Sequence, residues 1–182
     1  MEQPLVMSLQ SQLISVIRDV PDFPKPGILF KDITPVLKDA ALCRDVVDAF
    51  HAHFASDQVD CIIGVESRGF LFGMMLAQKF NVPFIPVRKR GKLPFKTNAF
   101  EYNLEYGSAI VEMHIDAISP GQCVLIHDDL LATGGTAMAA SELVSMQNGK
   151  VAGFAFLVEL DFLAGRKHLQ KYSDRVVSLV NY

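Results

Sequence analysis

The stretch Val124-Leu125-Ile126-His127-Asp128-Asp129-Leu130-Leu131-Ala132-Thr133-Gly134-Gly135-Thr136 constrains this chain more than any other. An apolar run ends in two adjacent carboxylates and passes into a small, glycine-rich turn that opens a helix. Asp128 and Asp129 together can accept hydrogen bonds from vicinal hydroxyls with better geometry than one acid offers. Ala132, Thr133, Gly134, Gly135 and Thr136 present backbone N–H groups, the two threonine hydroxyls and a helix N-terminus to a phosphate dianion. Gly134 and Gly135 permit positive φ and let an anion approach the backbone closely. A phosphorylated sugar held at both ends accounts for the whole order. The alternative is an ordinary strand–turn–helix with an acidic strand end and a threonine cap, which gives no reason for the full thirteen-residue order.

A chain of 182 residues suffices for one packed domain, expected to span 1–182. With 50% hydrophobic and 20% charged residues, a buried core is expected and disorder is not. The longest apolar runs, 70–77 and 154–158, fall well short of the ~20 residues that span a bilayer. The N-terminus lacks the order of a signal peptide, so a cytoplasmic protein without membrane attachment is expected. A net charge of −3 argues against nucleic-acid binding, which relies on a basic face. Cys43, Cys61 and Cys123 form no CxxC pair and the histidines no HxxxH pattern, so neither a zinc site nor a disulfide framework is indicated. Cys61 and Cys123 lie in apolar runs and are expected to be buried. His51 and His53 are expected to be solvated.

Apolar spacing predicts a helix through Leu9, Leu13, Val16 and Ile17, stopped by the proline-rich segment 21–27. Helices are expected at 40–55, 69–80, 135–146 and 163–170, and strands at 61–65, 84–87, 109–113, 123–127, 151–159 and 176–180. Segment 28–36 reads as extended and irregular, and 88–107 as loop-like. Strands alternating with helices imply an α/β fold: a mainly parallel sheet with helices on both faces. Ligands of such sheets bind at the carboxyl ends of the strands.

Other loops leave strands at that edge. Gly64-Val65-Glu66-Ser67-Arg68-Gly69 imitates the first half of a P-loop, but Phe70 stands where a lysine is needed, which argues against a P-loop NTPase. Its amides and the planar fork of Arg68 suit a phosphate, although a solvated strand–helix turn would look the same. Arg88-Lys89-Arg90-Gly91-Lys92 concentrates positive charge in a net-negative chain, beyond what a plain solvated turn needs. Segment 24–35 forms an extended hood whose carbonyls can accept from an exocyclic amine and would oppose a 6-oxo group. Phe30 within it could stack on a base or fill the core; the segment alone does not choose. Segment 95–107 reads by default as a hairpin.

The 124–136 stretch closely resembles the phosphoribosyl-pyrophosphate (PRPP) signature of the type I phosphoribosyltransferases. The resemblance runs from about Asp22 to Leu160 through FPKPGILFKDIT, ESRG, RKRGKLP, LEYG and DDLLATGGT, and is to the adenine-specific branch. It implies the type I phosphoribosyltransferase fold, with a small N-terminal hood at about 20–36 and a mobile lid at about 93–108. The implied activity is a glycosyltransferase (pentosyltransferase) reaction of purine salvage: adenine and PRPP give AMP and pyrophosphate, with Mg²⁺ arriving mainly on PRPP and no dedicated protein metal site. By the same resemblance, Asp128 and Asp129 hold the ribose and Ala132 to Thr136 the 5-phosphate. Glu66, Ser67, Arg68, Arg88 and Lys92 serve the pyrophosphate, and a homodimer interface near Arg88 is implied. Leu29, Phe30, Lys31 and Leu160 surround adenine, and Glu105 of the lid is the general acid/base. A lid has a physical purpose, since water must be kept from an oxocarbenium-like centre. The chain departs from the pattern at His127, where an apolar residue is expected and a polar ring could reach the sheet edge or a dimer contact. It departs again at 94–98. A 6-oxopurine transferase would share the PRPP loop but lack LEYG and this hood. A PRPP-sensing regulator would need an added nucleic-acid-binding face.

Overall fold

The computed structural model of the chain describes residues 7–103 and 108–182. In chain order its elements are α1 (Leu9–Val16), β1 (Arg18–Pro21), β2 (Leu29–Asp32), α2 (Ala40–His53), β3 (Cys61–Val65), α3 (Gly69–Phe80), β4 (Phe84–Lys89), β5 (Thr97–Asn103), β6 (Ser108–His114), β7 (Cys123–Leu131), α4 (Gly135–Met146), β8 (Lys150–Glu159), α5 (Arg166–Leu169) and β9 (Val176–Asn181). A seven-stranded sheet has the order β5-β6-β4-β3-β7-β8-β9, and β1 and β2 form a separate two-stranded sheet. Strands β4, β3, β7, β8 and β9 are parallel, while β5 and β6 run antiparallel at one edge.

The apolar runs form strands buried on both faces because successive side chains point to opposite sides. Ile62 and Leu125 pack with Leu13, Val46, Phe50 and Phe72 from α1, α2 and α3. Their chain neighbours Ile63 and Ile126 join Phe154, Phe156 and the α4 residues Ala137, Ala140 and Leu143 on the other face. Local chemistry sets the helix ends. Asp39 caps α2 by accepting from the Ala41 and Leu42 amides, and Asn81 closes α3 in the left-handed region at φ 56. The chain moves from β3 to β4 on one side and later to β7 on the other. The resulting switch point lies between the carboxyl ends of β3 and β7, where sheets of this kind open a crevice.

Several expectations need correction. The segment read as loop-like holds β5, paired with β6 from Thr97↔His114 to Asn103↔Ser108. Its Phe100 and Tyr102 turn to the core while Ala99 and Glu101 face solvent, a period-two pattern masked by the charges and proline before it. Arg88 and Lys89 belong to β4 rather than following it. Helix α1 ends at Val16, ahead of the prolines, because Arg18–Pro21 pairs with Leu29–Asp32. The hood is therefore a ribbon, with the β1-facing side of β2 already hydrogen-bonded. The helix expected at 163–170 divides into a 3-10 turn, Asp161–Leu163, a left-handed Ala164 and α5. Cys43, Cys61 and Cys123 are free thiols; burial pushes Cys61 up to about 11, whereas Cys123 is only partly buried. His51 is half-buried with its ring 4.7 Å from that of Phe80, and His53 is exposed. Among the described residues no helix is long and apolar enough to cross a membrane.

Candidate active site

Strand β3 ends at Val65, with Gly64 beside His127, whereas β7 continues to Leu131. Asp128 and Asp129 therefore extend past their β3 neighbour and face the loop that leaves it. Helix α3 starts close against them. A Cβ on Gly69 would lie 2.7 Å from the His127 carbonyl and 3.1 Å from Asp128 Cα, so only glycine allows this approach. Arg68, at the N-cap of α3, then places Nε 3.2 Å from Asp129 Oδ2 and its guanidinium 5.0 Å from the Phe30 ring centre. One arginine thus touches the acid pair and the hood.

A cleft of about 370 Å³ is lined by Glu66, Ser67, Arg68, Lys89, Asp128 and Asp129, with Tyr102, Ala132 and Thr136 among its other walls. A smaller recess of about 60 Å³ adjoins it, formed by Asp128 and the turn Ala132, Thr133, Gly134, Gly135 and Thr136. Gly134 sits at φ 83, in the left-handed region, directly before α4, so the helix N-terminus opens on this recess. Asp129 is 3% exposed at its side chain, and among the described residues its Oδ2 makes no hydrogen bond despite the nearby arginine. Desolvation, reinforced by the neighbouring charge of Asp129, raises the Asp128 carboxyl well above its usual range. Desolvation also raises Asp129, with Arg68 pulling it back.

Glu66 gathers the cations. It accepts from Arg88 Nη2 at 3.2 Å and the Lys89 amide at 3.0 Å, with Lys92 Nζ at 3.8 Å. Partial burial pushes its carboxyl up, but the Arg88 hydrogen bond, the Lys89 amide and both side-chain cations hold it below the ordinary value. Arg88 also donates to the Lys92 carbonyl at 3.0 Å, and its buried Nε has no hydrogen-bond partner among the described residues. Around the hood, Phe30 meets Phe23 edge-on at 5.1 Å. Lys31 turns the other way: its side chain is buried, 2.6 Å from Asp19 and 3.6 Å from the centre of the Tyr182 ring. Leu29 is exposed, and Leu160 packs on the core of the α1–α3 face and lines neither recess. Glu105 lies outside the described residues.

His127 does not reach the sheet edge or the surface. It is wholly buried in the central strand, edge-on to Phe50 and Phe72, with Nδ1 2.9 Å from the Ala155 carbonyl. Desolvation lowers it to about 4, so it is held as neutral imidazole, and its Nε2 has no hydrogen-bond partner among the described residues. Sequence reasoning missed Lys89, Tyr102 and Leu130 as cleft walls. The Tyr102 hydroxyl lies 3.2 Å from Thr136 Oγ1, a contact foreshadowed only by the alternation within β5.

The model of the phosphoribosyl transferase domain matches residues 33–182. An adenine phosphoribosyltransferase from Cytophaga hutchinsonii is 49% identical over 174 residues, covering 96% of each chain. The chain belongs to the adenine phosphoribosyltransferases. The crystal structure of the Thermoanaerobacter pseudethanolicus adenine phosphoribosyltransferase is similar at a TM-score of 0.92 and 48% identity, covering 96% of this chain and all of that one. The Saccharomyces cerevisiae enzyme, complexed with an imino-altritol bisphosphate and adenine, is similar at a TM-score of 0.88 and 41% identity, covering 94% and 98%. Family membership and the type I fold agree with the cleft at the β3–β7 switch point.

Proposed function

We propose that this cleft carries the reaction of its family through the residues described above. Ribosyl-5-phosphate passes from PRPP to N9 of adenine: the bond from C1 to the pyrophosphate oxygen breaks, the C1–N9 bond forms, and the N9 proton departs. Asp128 and Asp129 accept hydrogen bonds from the ribose hydroxyls, and Ala132, Thr133, Gly134, Gly135 and Thr136 hold the 5-phosphate. With both ends of the sugar fixed, C1 is the atom free to migrate. Arg68, the amides of Ser67 and its neighbours, and the cations Arg88 and Lys92 stabilise the departing pyrophosphate. Glu66 serves by holding those cations at the rim, since its own charge would repel the leaving group.

Adenine enters under the hood. Phe30 covers its face beside Arg68, and the outer edge of β2 near Leu29 and Lys31 accepts from its amine through backbone groups. Leu160 remains the proposed far wall. Glu105 is the proposed acid/base; in the chain it lies between Tyr102 and Ala109, both cleft walls. A hard cation suits the acid pair and the unpartnered Asp129 Oδ2, and no set of three or more His, Cys, Asp or Glu side chains forms a metal cage among the described residues. Mg²⁺ held chiefly by PRPP oxygens, with Asp128 and Asp129 nearest, would supply neutralising charge for the pyrophosphate.

We also propose a homodimer, supported by the large exposed apolar side chains Leu71 and Met74 on α3, and a reducing, cytoplasmic setting, supported by the free thiols. The observation that carries the reading is the convergence of the acid pair, Arg68 and the phosphate turn on adjoining recesses, with the Phe30 ring centre 5.0 Å from the Arg68 guanidinium. A coupled assay with PRPP, Mg²⁺ and each purine tests it. Adenine should turn over, and hypoxanthine and guanine should not; turnover of a 6-oxo purine in place of adenine would overthrow the base assignment.

A further inference from the structure

We propose that the segment Gly165–His168, moored where Arg166 pairs with the buried Glu159, is the device that positions the phosphate turn. The proposal rests on the assignment of residues 132–136 to the 5-phosphate and deepens it.

The anchor comes first. Glu159 ends β8 with 4% exposure, and its carboxylate accepts from Arg166 Nε at 3.0 Å, Arg166 Nη2 at 2.5 Å and Ser178 Oγ at 2.6 Å. Arg166 Nη1 donates in addition to the Val176 carbonyl at 2.7 Å. The guanidinium is thereby tied to β8 and β9 together. The Arg166 side chain keeps 39% of its surface exposed, so solvent screening leaves the pair little net stability, and what it supplies is register.

The moored segment then presses on the turn from behind. A Cβ on Gly165 would lie 2.1 Å from the Ala132 carbonyl oxygen and 3.0 Å from the Gly134 nitrogen. Gly165 has φ −58 and ψ −32, a helical conformation open to any residue, so glycine is required here for space alone. From the other side, a Cβ on Gly134 would lie 2.8 Å from the Gly165 carbonyl. One turn further, His168 Nδ1 donates to the Thr133 carbonyl at 2.8 Å. In a planar trans peptide the C=O of one residue and the N–H of the next point in opposite directions. Holding the Ala132 and Thr133 carbonyls against this segment therefore aims the Thr133 and Gly134 amides away from it. Those amides belong to the residues that line the small recess. Gly165, Arg166 and His168 are positioning residues, acting through the turn.

The test compares AMP with adenosine by calorimetry, because the two differ only in the 5-phosphate. Gly165→Ala should erase on the order of 100-fold of the preference for AMP, the scale of an ångström-sized misplacement. Arg166→Gln should lose about 10-fold, the scale of removing an outer support from a binding group. Adenosine affinity should stay within about twofold in both, since a turn contact outside the phosphate is worth little. A wild-type AMP-to-adenosine ratio in the folded variants overturns the proposal, and so does an equal loss for both ligands, which marks a merely structural role. If Gly165→Ala does not fold, Arg166→Gln and the surface change His168→Ala carry the same comparison. Gly134→Val, within the turn, separates the two layers. If it loses the preference while the outer variants keep it, the positioning role is wrong and the phosphate assignment stands. If it too keeps the preference, the assignment itself falls.

Discussion

The two ends of the proposed substrate site are built in opposite ways. The phosphate turn follows a central strand that pairs with β8 to its end and with β3 from Val124 to His127, and a second segment backs it with hardly an atom to spare. The hood is a two-stranded ribbon at the molecular surface, with Phe23 and Leu29 both about half exposed. It is held to the body by a few side chains: Lys31 under the Tyr182 ring, Phe30 beside Arg68, and the buried Ile33 and Val36 that follow β2. Such a ribbon is at best marginally stable alone. The difference teaches where precision is needed. The sugar must be fixed at both ends while C1 moves, whereas the base must be admitted, recognised and released. On the proposed assignment the sugar end draws on the core, and the base end on a small number of replaceable contacts.

The largest way to break this comparison is at the acid pair. Asp128→Asn combined with Asp129→Asn should lower kcat/KM for PRPP by about 10²–10³-fold, the scale of removing a preorganised polar contact from an active site. Unaltered steady-state kinetics would remove the ribose role and, with it, the claim that the core serves the sugar.

The next effect concerns the support beneath that pair. His127 is held neutral by burial, at about 4 against 6.5 in water, so between those values the unfolded chain binds the extra proton. Stability should then fall as pH drops from about 6.5 to about 4, by up to ~3 kcal/mol from this group. Asp128 and Asp129, raised in the fold, act with the opposite sign: they bind protons more readily when native, so acidification favours the fold through them. Urea midpoints across this range for wild type and His127→Leu isolate the histidine. The variant should lose the acid-side decline, and parallel curves would show that the ring is not the titrating group.

The smallest effect sharpens the base end. Phe30→Ala should raise KM for adenine about 10-fold through a lost aromatic contact of ~1 kcal/mol or slightly more, with KM for PRPP nearly unchanged. Equal changes in both constants would mean that Phe30 acts through Arg68 on the sugar site, and that the two ends are less separate than their construction suggests.

Much of the geometry at the proposed sugar end could be read from the chain. The acid pair, the glycine turn and the helix after it are consecutive, so their chemistry and spacing survive in one dimension. The apolar runs of β3 and β7 announced strands buried on both faces, and the order of elements announced a mainly parallel sheet. The base end was harder. Lys31 falls inside the hood motif, yet its ammonium turns away to Asp19 and Tyr182, a partner at the opposite end of the numbering. The strand Thr97–Asn103 was hidden because its pairing partner, rather than its own composition, makes it a strand.

The amino-acid order alone determined which groups this protein offers a ligand and the α/β alternation that gathers them at one edge, because turn chemistry and side-chain periodicity are local properties. The tertiary structure decided what those groups lean on. It set Arg68 between Asp129 and Phe30, buried the His127 ring between two phenylalanines, and brought Gly165 against Ala132 so closely that no side chain fits. Those contacts join residues far apart in the chain, and close packing, which no local pattern records, fixes their distances.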